Sequence, residues 1–285
     1  MSRPIVTLTT DFGQADGYVG TMKGVILGIC PEAVLVDISH EIRPQAVRQA
    51  AYVLATAVRY FPPNTVHLVV VDPGVGSERR PVAVQTERAS YVAPDNGVLS
   101  SVLAQEPARL AVDLAESAVR LPQVSATFHG RDIFAPAAAH RALGSDLGEI
   151  GSPIPTASLV TLANLQPRRQ ADGSWLGEIL HVDRFGNLIT NFQPPTPPFP
   201  TPSSPIPNPQ ISIVLGGARI SGLSHTFASV APGELVAYIG SSGYLEIAVR
   251  EGNAASRLKL DVGDPVRVEG LALPGAAMAG TSPGA

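Results

Sequence analysis

The chain contains one cysteine, Cys30, among its 285 residues, so no disulfide can form within it. A reducing compartment suits such a chain, and Cys30 itself reads as a small buried hydrophobe. Charge is also scarce: charged residues make up 15% and the formal net charge is -4. That balance argues against a nucleic-acid partner, which rewards clustered Lys and Arg. No uninterrupted apolar stretch approaches the ~20 residues of a spanning helix. Met1-Ser2-Arg3-Pro4 leads directly into Ile5-Val6-Thr7-Leu8 without an apolar signal core, so the expected location is cytoplasmic, with no membrane partner. No His-x-x-x-His pair or dense carboxylate cluster occurs, and no metal site is expected.

Apolar residues make up 45%, enough over this length to bury a substantial core. Ile5–Thr9 is strand-like, and Tyr18, Met22, Val25, Ile26 and Ile29 recur at helical spacing before the strand-like Val34–Ile38. Val47, Ala50, Ala51, Leu54 and Val58 predict a second helix, followed by the continuous apolar run Val66–Val71, suited to a strand covered on both faces. Further strands are expected at Val82–Gln85 and Tyr91–Ala93, with helices over Gly97–Leu103 and Asp132–Leu143. Residues 1–165 therefore predict an α/β domain with a mainly parallel sheet.

From about residue 170 to 271 the texture is β-rich, with runs at Trp175–Val182, Leu188–Phe192, Ile211–Leu215, Leu235–Ile239 and Tyr244–Val249. A smaller all-β, barrel-like domain is expected there. Proline crowds residues 193–210, which predicts an exposed insertion, and residues 272–285 predict a mobile tail.

Several polar residues stand where α/β proteins bind ligands, at the carboxyl ends of strands. Asp11, in Asp11-Phe12-Gly13, follows the first strand and is either a ligand-binding carboxylate or a helix cap. A kinase reading of these three residues fails because no Gly-rich loop or His-Arg-Asp segment precedes them. Asp72 ends the buried run in the same way and opens Asp72-Pro73-Gly74-Val75-Gly76-Ser77, with Arg79 and Arg80 after it. As a phosphate loop this segment lacks the usual lysine and hydroxyl partners. His129, in Phe128-His129-Gly130-Arg131-Asp132, precedes a predicted helix whose first turn Asp132 is placed to cap. Asp72, Arg79 and His129 together suit the positioning of a water: one group accepts its proton, and the arginine holds the carboxylate ionised. In the β-rich half, Asp183-Arg184-Phe185-Gly186-Asn187 reads as a plain hairpin turn or as a recognition loop in which Phe185 stacks on a flat ring and Asn187 reads its polar edge. Gly240-Ser241-Ser242-Gly243-Tyr244 is by itself a turn.

Six blocks in order, Thr9–Gly13, Val71–Gly76, Ala93–Gly97, Phe128–Asp132, Asp183–Asn187 and Ser241–Tyr244, make the chain resemble the S-adenosylmethionine hydroxide adenosyltransferase family over about residues 4–270. The resemblance implies hydrolysis of S-adenosylmethionine to adenosine and methionine without a cofactor, by a homotrimer with active sites between subunits. It implies that Asp11 binds the ribose hydroxyls, Asp183 and Ser241 the methionine end, and Phe185, Asn187 and the backbone of Ala254 the adenine. The family's hydrolases carry an Asp-Arg-His trio, matched by Asp72, Arg79 and His129, with Arg80 adjacent, one residue from the arginine assignment. Halogenating relatives have a tyrosine in the segment of Asp72, and those using fluoride a serine at the place of Gly130 and a threonine at that of Val75. Two departures stand out: the long proline-rich insertion, and Ser242 where some relatives have arginine. A halogenase and a non-catalytic S-adenosylmethionine or adenosine sensor are the competing functions.

Overall fold

The computed structural model describes residues 3–193 and 211–270. Most of the proline-rich insertion and the predicted mobile tail therefore lie outside the described residues. The chain divides into two compact units, Met1–Ala163 and Asn164–Ala285.

The first unit opens with β1 (Ile5–Thr10), α1 (Tyr18–Ile29), β2 (Val34–Ser39), α2 (Val47–Val58) and β3 (Val66–Val70). It continues with β4 (Pro81–Gln85), β5 (Ser90–Pro94), α3 (Ser100–Gln105) and β6 (Leu110–Asp113). A π-helical turn, Gly130–Phe134, leads into α4 (Ala135–Ala142), and α5 (Leu147–Ile150) and β7 (Ser152–Ile154) complete it. The seven strands lie in the order β2-β1-β3-β5-β4-β6-β7. The first four are parallel, while β4, β6 and β7 extend the sheet antiparallel.

β3 is central and buried throughout. Val66, Leu68 and Val70 face one layer with Met22 and Ile26 of α1 and Ala135, Ala138 and Ala139 of α4. Val69 and Val71 face the other, with Ala50 and Leu54 of α2 and Val102 of α3. Each buried Val, Leu, Ile or Met side chain among them contributes about 1.5–3 kcal/mol by leaving water, and both layers are needed to cover the run.

Two helix starts differ from the sequence reading. The expected Gly97–Leu103 helix begins at Ser100, because Asn96 uses its amide to hold a turn: Nδ2 donates to Val71 O at 2.8 Å and Oδ1 accepts from Val98 N at 3.1 Å. The expected Asp132–Leu143 helix begins two residues earlier as the π-helical turn. Pro136 has no N–H for the carbonyl four residues before it, and Leu121 N donates to that Asp132 carbonyl instead, at 2.8 Å. Asp132 does not cap the helix: its carboxylate accepts from Ser125 N at 2.8 Å and from Arg131 Nε at 2.6 Å, tying down the segment that leads to His129.

The second unit contains β8 (Arg168–Arg169), β9 (Trp175–Val182), β10 (Leu188–Thr190), β11 (Ser212–Leu215), β12 (Ala218–Ser221), β13 (Leu235–Ile239), β14 (Leu245–Val249), α6 (Ala254–Leu258) and β15 (Pro265–Glu269). Its sheet runs β12-β11-β15-β9-β10-β14-β13, antiparallel throughout. Ser224, just past β12, bridges Tyr238 in β13, so the sheet nearly closes into a barrel around Trp175, Ile179, Phe192, Ile213, Ile247 and Val266. An α/β domain followed by a smaller barrel-like domain is thus the observed fold class.

Candidate active site

In the first unit, Asp11 follows β1, Asp72 follows β3, and His129 starts the π-helical turn. Asp11, Asp72 and His129 line one cavity of about 300 Å³, with Phe12, Gln45 and Phe128 among its other walls. Arg79 lies behind Asp72 and grips it with two N–H groups, Nε to Oδ1 at 3.0 Å and Nη2 to Oδ2. Both side chains are more than nine-tenths buried. The same Nη2 reaches His129 Nδ1 at 3.1 Å, so the three residues form one connected array.

That contact determines the proton position on His129. A guanidinium has donors only, so Nδ1 must present its lone pair, and the neutral ring carries its proton on Nε2. The electrostatics agree: burial first, then the charge of Arg79, lowers the His129 pKa below its ordinary 6.5, against smaller opposing effects of Asp72 and Asp132. Burial pushes the Asp72 carboxyl up, while Arg79, His129 and the Gly74 N–H pull it back. Asp72 is therefore a carboxylate of enhanced proton affinity held in a fixed orientation. The Gly74 N–H, a donor that a phosphate loop would offer an anion, is turned onto Asp72.

Gly76 makes this loop fit. Its φ is +77°, and a Cβ there would lie 2.6 Å from the Ala126 carbonyl oxygen. The segment approaching His129 thus packs directly on the glycine. Of the two adjacent arginines only Arg79 belongs to the array. Arg80 binds Asp95 through Nε at 3.0 Å and the Ser158 carbonyl through Nη2 at 2.5 Å.

Asp11 does not cap α1. Its Oδ2 accepts from the backbone N–H of Gln45 at 2.7 Å, leaving Oδ1 without a partner among the described residues. Beside the cavity, Phe12, Tyr18 and Phe128 form an aromatic cluster with ring centroids 5.2–6.0 Å apart. Gln45 is a polar wall residue that sequence reasoning missed. It follows β2, and the strand-end logic that singles out Asp11 and Asp72 applies equally to that loop.

In the second unit, the β9–β10 turn is built by Asp183: Oδ1 accepts from Phe185 N at 2.8 Å and Asn187 N at 2.9 Å, and Oδ2 from Asn187 Nδ2 at 2.8 Å. Phe185 is left 75% exposed, a large apolar ring for which the turn has no use. Gly186, at φ +80°, packs so closely on Asn253 that a Cβ would overlap it, and Gly186 O accepts from Ala255 N at 3.0 Å. Asp183, Phe185 and Asn187 are thereby brought beside Ala254, which opens α6, where backbone N–H groups lack helical partners. Ser241 lies on the turn before β14, next to Gly240, where an added Cβ would meet the Glu246 carboxylate. Among the described residues no group of three or more His, Cys, Asp or Glu is arranged to hold a metal ion, and no helix is long and apolar enough to cross a membrane.

Comparison with known proteins follows the same two-unit division. Residues 6–151 match the SAM hydroxide adenosyltransferase N-terminal domain, and residues 177–267 the corresponding C-terminal domain. A Salinispora tropica protein named (R)-S-adenosyl-L-methionine hydrolase is 40% identical over 93% of this chain and 97% of its own length. A fluorinase of Nocardia brasiliensis is 29% identical over 94% and 97%. The crystal structure of an uncharacterized conserved protein from Thermotoga maritima superposes with a TM-score of 0.80 at 36% identity, covering 93% of this chain and 99% of that one. The chain belongs to the SAM hydroxide adenosyltransferase family.

Proposed function

We propose that this enzyme hydrolyses S-adenosyl-L-methionine to adenosine and L-methionine, by in-line attack of one ordered water at the ribose C5′. The observation that carries the reading is the Asp72–Arg79–His129 array at the wall of the cavity. The leaving group is a neutral thioether expelled from a sulfonium, so it departs without an acid, a metal or a cofactor. The difficult partner is water, a weak nucleophile that must be held at near-attack distance with its proton aimed at an acceptor. Asp72 serves as that acceptor and Arg79 fixes its orientation. His129, protonated on Nε2, is a hydrogen-bond donor to the water oxygen rather than its base.

Asp11, with Oδ1 open, binds the ribose hydroxyls. Exposed Phe185 with Asn187 and the Ala254 backbone takes the adenine, and Asp183 and Ser241 take the methionine end. The exposure of Phe185 supports completion of the site in an assembly, a homotrimer with sites between subunits. The lone cysteine supports a cytoplasmic setting. The (R) sulfonium configuration in the Salinispora protein's name is extended to the substrate here.

A halogenase is the reading that the fluorinase relative raises. Gly130 weighs against it: a Cβ there would stand 3.2 Å from Met22 Sδ and 3.3 Å from a Phe128 ring carbon, so a halide-binding side chain has little room. Chromatography of both sulfonium epimers incubated with the enzyme, with and without chloride or fluoride, tests the proposal. Adenosine and methionine in halide-free buffer support it. A 5′-halogenated nucleoside appearing only with halide makes the protein a halogenase, and tight adenosine binding without turnover makes it a sensor.

A further inference from the structure

His40, on the loop after β2, has no role in the array around Asp72, yet its side chain is completely buried. Its Nδ1 lies 2.8 Å from Thr10 Oγ1, and Thr10 Oγ1 accepts from Phe12 N at 3.3 Å. On its other side Nε2 is 3.0 Å from Asp37 Oδ1. Lys23 Nζ binds the second oxygen of Asp37 at 2.7 Å. Burial opposes the charge of Asp37, but the bonds from Lys23 and His40 prevail and hold its carboxyl below the usual range.

The contacts form one continuous chain. The Phe12 N–H donates to the Thr10 hydroxyl, Thr10 Oγ1 and His40 Nδ1 share a hydrogen bond, and Nε2 faces a carboxylate anchored by lysine. The His40 main chain adds a further tie, its carbonyl accepting from Gly13 N at 2.8 Å. Residues 10, 12 and 13 are thus each bound, directly or through one hydroxyl, to His40, and residue 11 is held between them. Five residues further along the same loop, Gln45 has a left-handed φ of 67° and points its N–H at Asp11 Oδ2. A β-region φ would be the ordinary choice for such a residue, and the hydrogen bond to Asp11 is a specific return on that strain.

We infer that His40 is a positioning residue: through Thr10 and Gly13 it aims the Asp11 carboxylate at the ribose hydroxyls of the substrate. The inference rests on the assignment of Asp11 to the ribose. The test compares kcat and KM for S-adenosylmethionine and for its analogue lacking the 2′- and 3′-hydroxyls, in wild type, Asp11→Asn, His40→Phe and the double variant. Thr10→Val, which removes one hydroxyl of the chain, stands in should His40→Phe not fold, with Thr10→Ser as the hydroxyl-retaining control.

A misaimed binding group costs about ten- to a hundredfold. The expected result is a loss of that size for S-adenosylmethionine in His40→Phe and Thr10→Val, expressed mainly in KM. Thr10→Ser should lose little, the dideoxy analogue should be hydrolysed at unchanged efficiency, and Asp11→Asn should abolish the effect of the second change. Equal losses on both substrates, or losses that multiply with Asp11→Asn, would show His40 to be a support of the fold only. If Asp11→Asn itself does not distinguish the two substrates, the assignment of Asp11 to the ribose is overturned instead.

Discussion

Arg79 and Arg80 offer a contrast of neighbouring residues with the same chemistry and different partners. Arg79→Lys keeps a positive charge near Asp72 but cannot supply both carboxylate contacts and the N–H to His129 Nδ1 at once. Each charge-assisted hydrogen bond is worth about 1.5–3 kcal/mol, and with both partners more than nine-tenths buried water screens little of it. Losing one carboxylate contact and the tie to His129 amounts to about 3–6 kcal/mol, or roughly 10²- to 10⁴-fold in kcat/KM if the array acts at the transition state. Arg80→Lys loosens the bonds to Asp95 and Ser158, which hold the 95 and 158 segments together. Its cost should appear in melting temperature, with kcat/KM within about threefold of wild type. Steady-state kinetics and thermal melts of both variants separate the two. Equal effects on turnover would refute the division of labour, and a larger effect of Arg80→Lys would reverse it.

The neutral His129 gives a pH dependence with a definite sign. Its pKa is depressed below 6.5, so kcat/KM should be flat above that value and fall on the acid side with a midpoint beneath it, as protonation of Nδ1 ejects the Arg79 N–H; a midpoint above 7 would contradict this. Gly76→Ala forces a Cβ into the Ala126 carbonyl at a left-handed φ, so stability should fall by about 1–2 kcal/mol or more and turnover should fall with it; unchanged thermal melts would contradict the packing. His67 is pulled down to about 4 by burial, against 6.5 for the unburied ring. Its contribution to stability is present above pH 6.5 and lost as pH falls toward 4, up to about 3 kcal/mol in all, so urea denaturation at pH 7 and pH 4 should show a smaller difference in His67→Leu than in wild type.

The β1-α1-β2-α2-β3 succession was legible because long apolar runs alternate with helical periodicity, and the continuous run Val66–Val71 suits a strand covered on both faces. β6, β7 and β12 were not read from the sequence: they have four, three and four residues, too few to show a period. The start of the 130–142 helix was hidden because Pro136 selects a π-helical turn only in combination with a distant donor, Leu121 N. Asp11, Asp72 and His129 were visible as polar groups at element ends. Which arginine served Asp72 was not, because consecutive residues of an extended segment point to opposite sides and the register is set by the fold. The positions of Asp183 and Asn187 were legible as a turn, and the turn accounts for all the hydrogen bonds they make there; only the exposure of Phe185 separates it from an ordinary hairpin.

The central claim, that Asp72 directs a water to C5′, is tested most directly by following transfer of oxygen-18 from labelled water into adenosine, by mass spectrometry, in wild type and Asp72→Asn. The account predicts one labelled oxygen per adenosine, on the 5′ carbon, and a rate about 10²- to 10⁴-fold lower in the variant with adenosine binding retained. Label in the methionine-derived product instead, or an undiminished rate in Asp72→Asn, would contradict it.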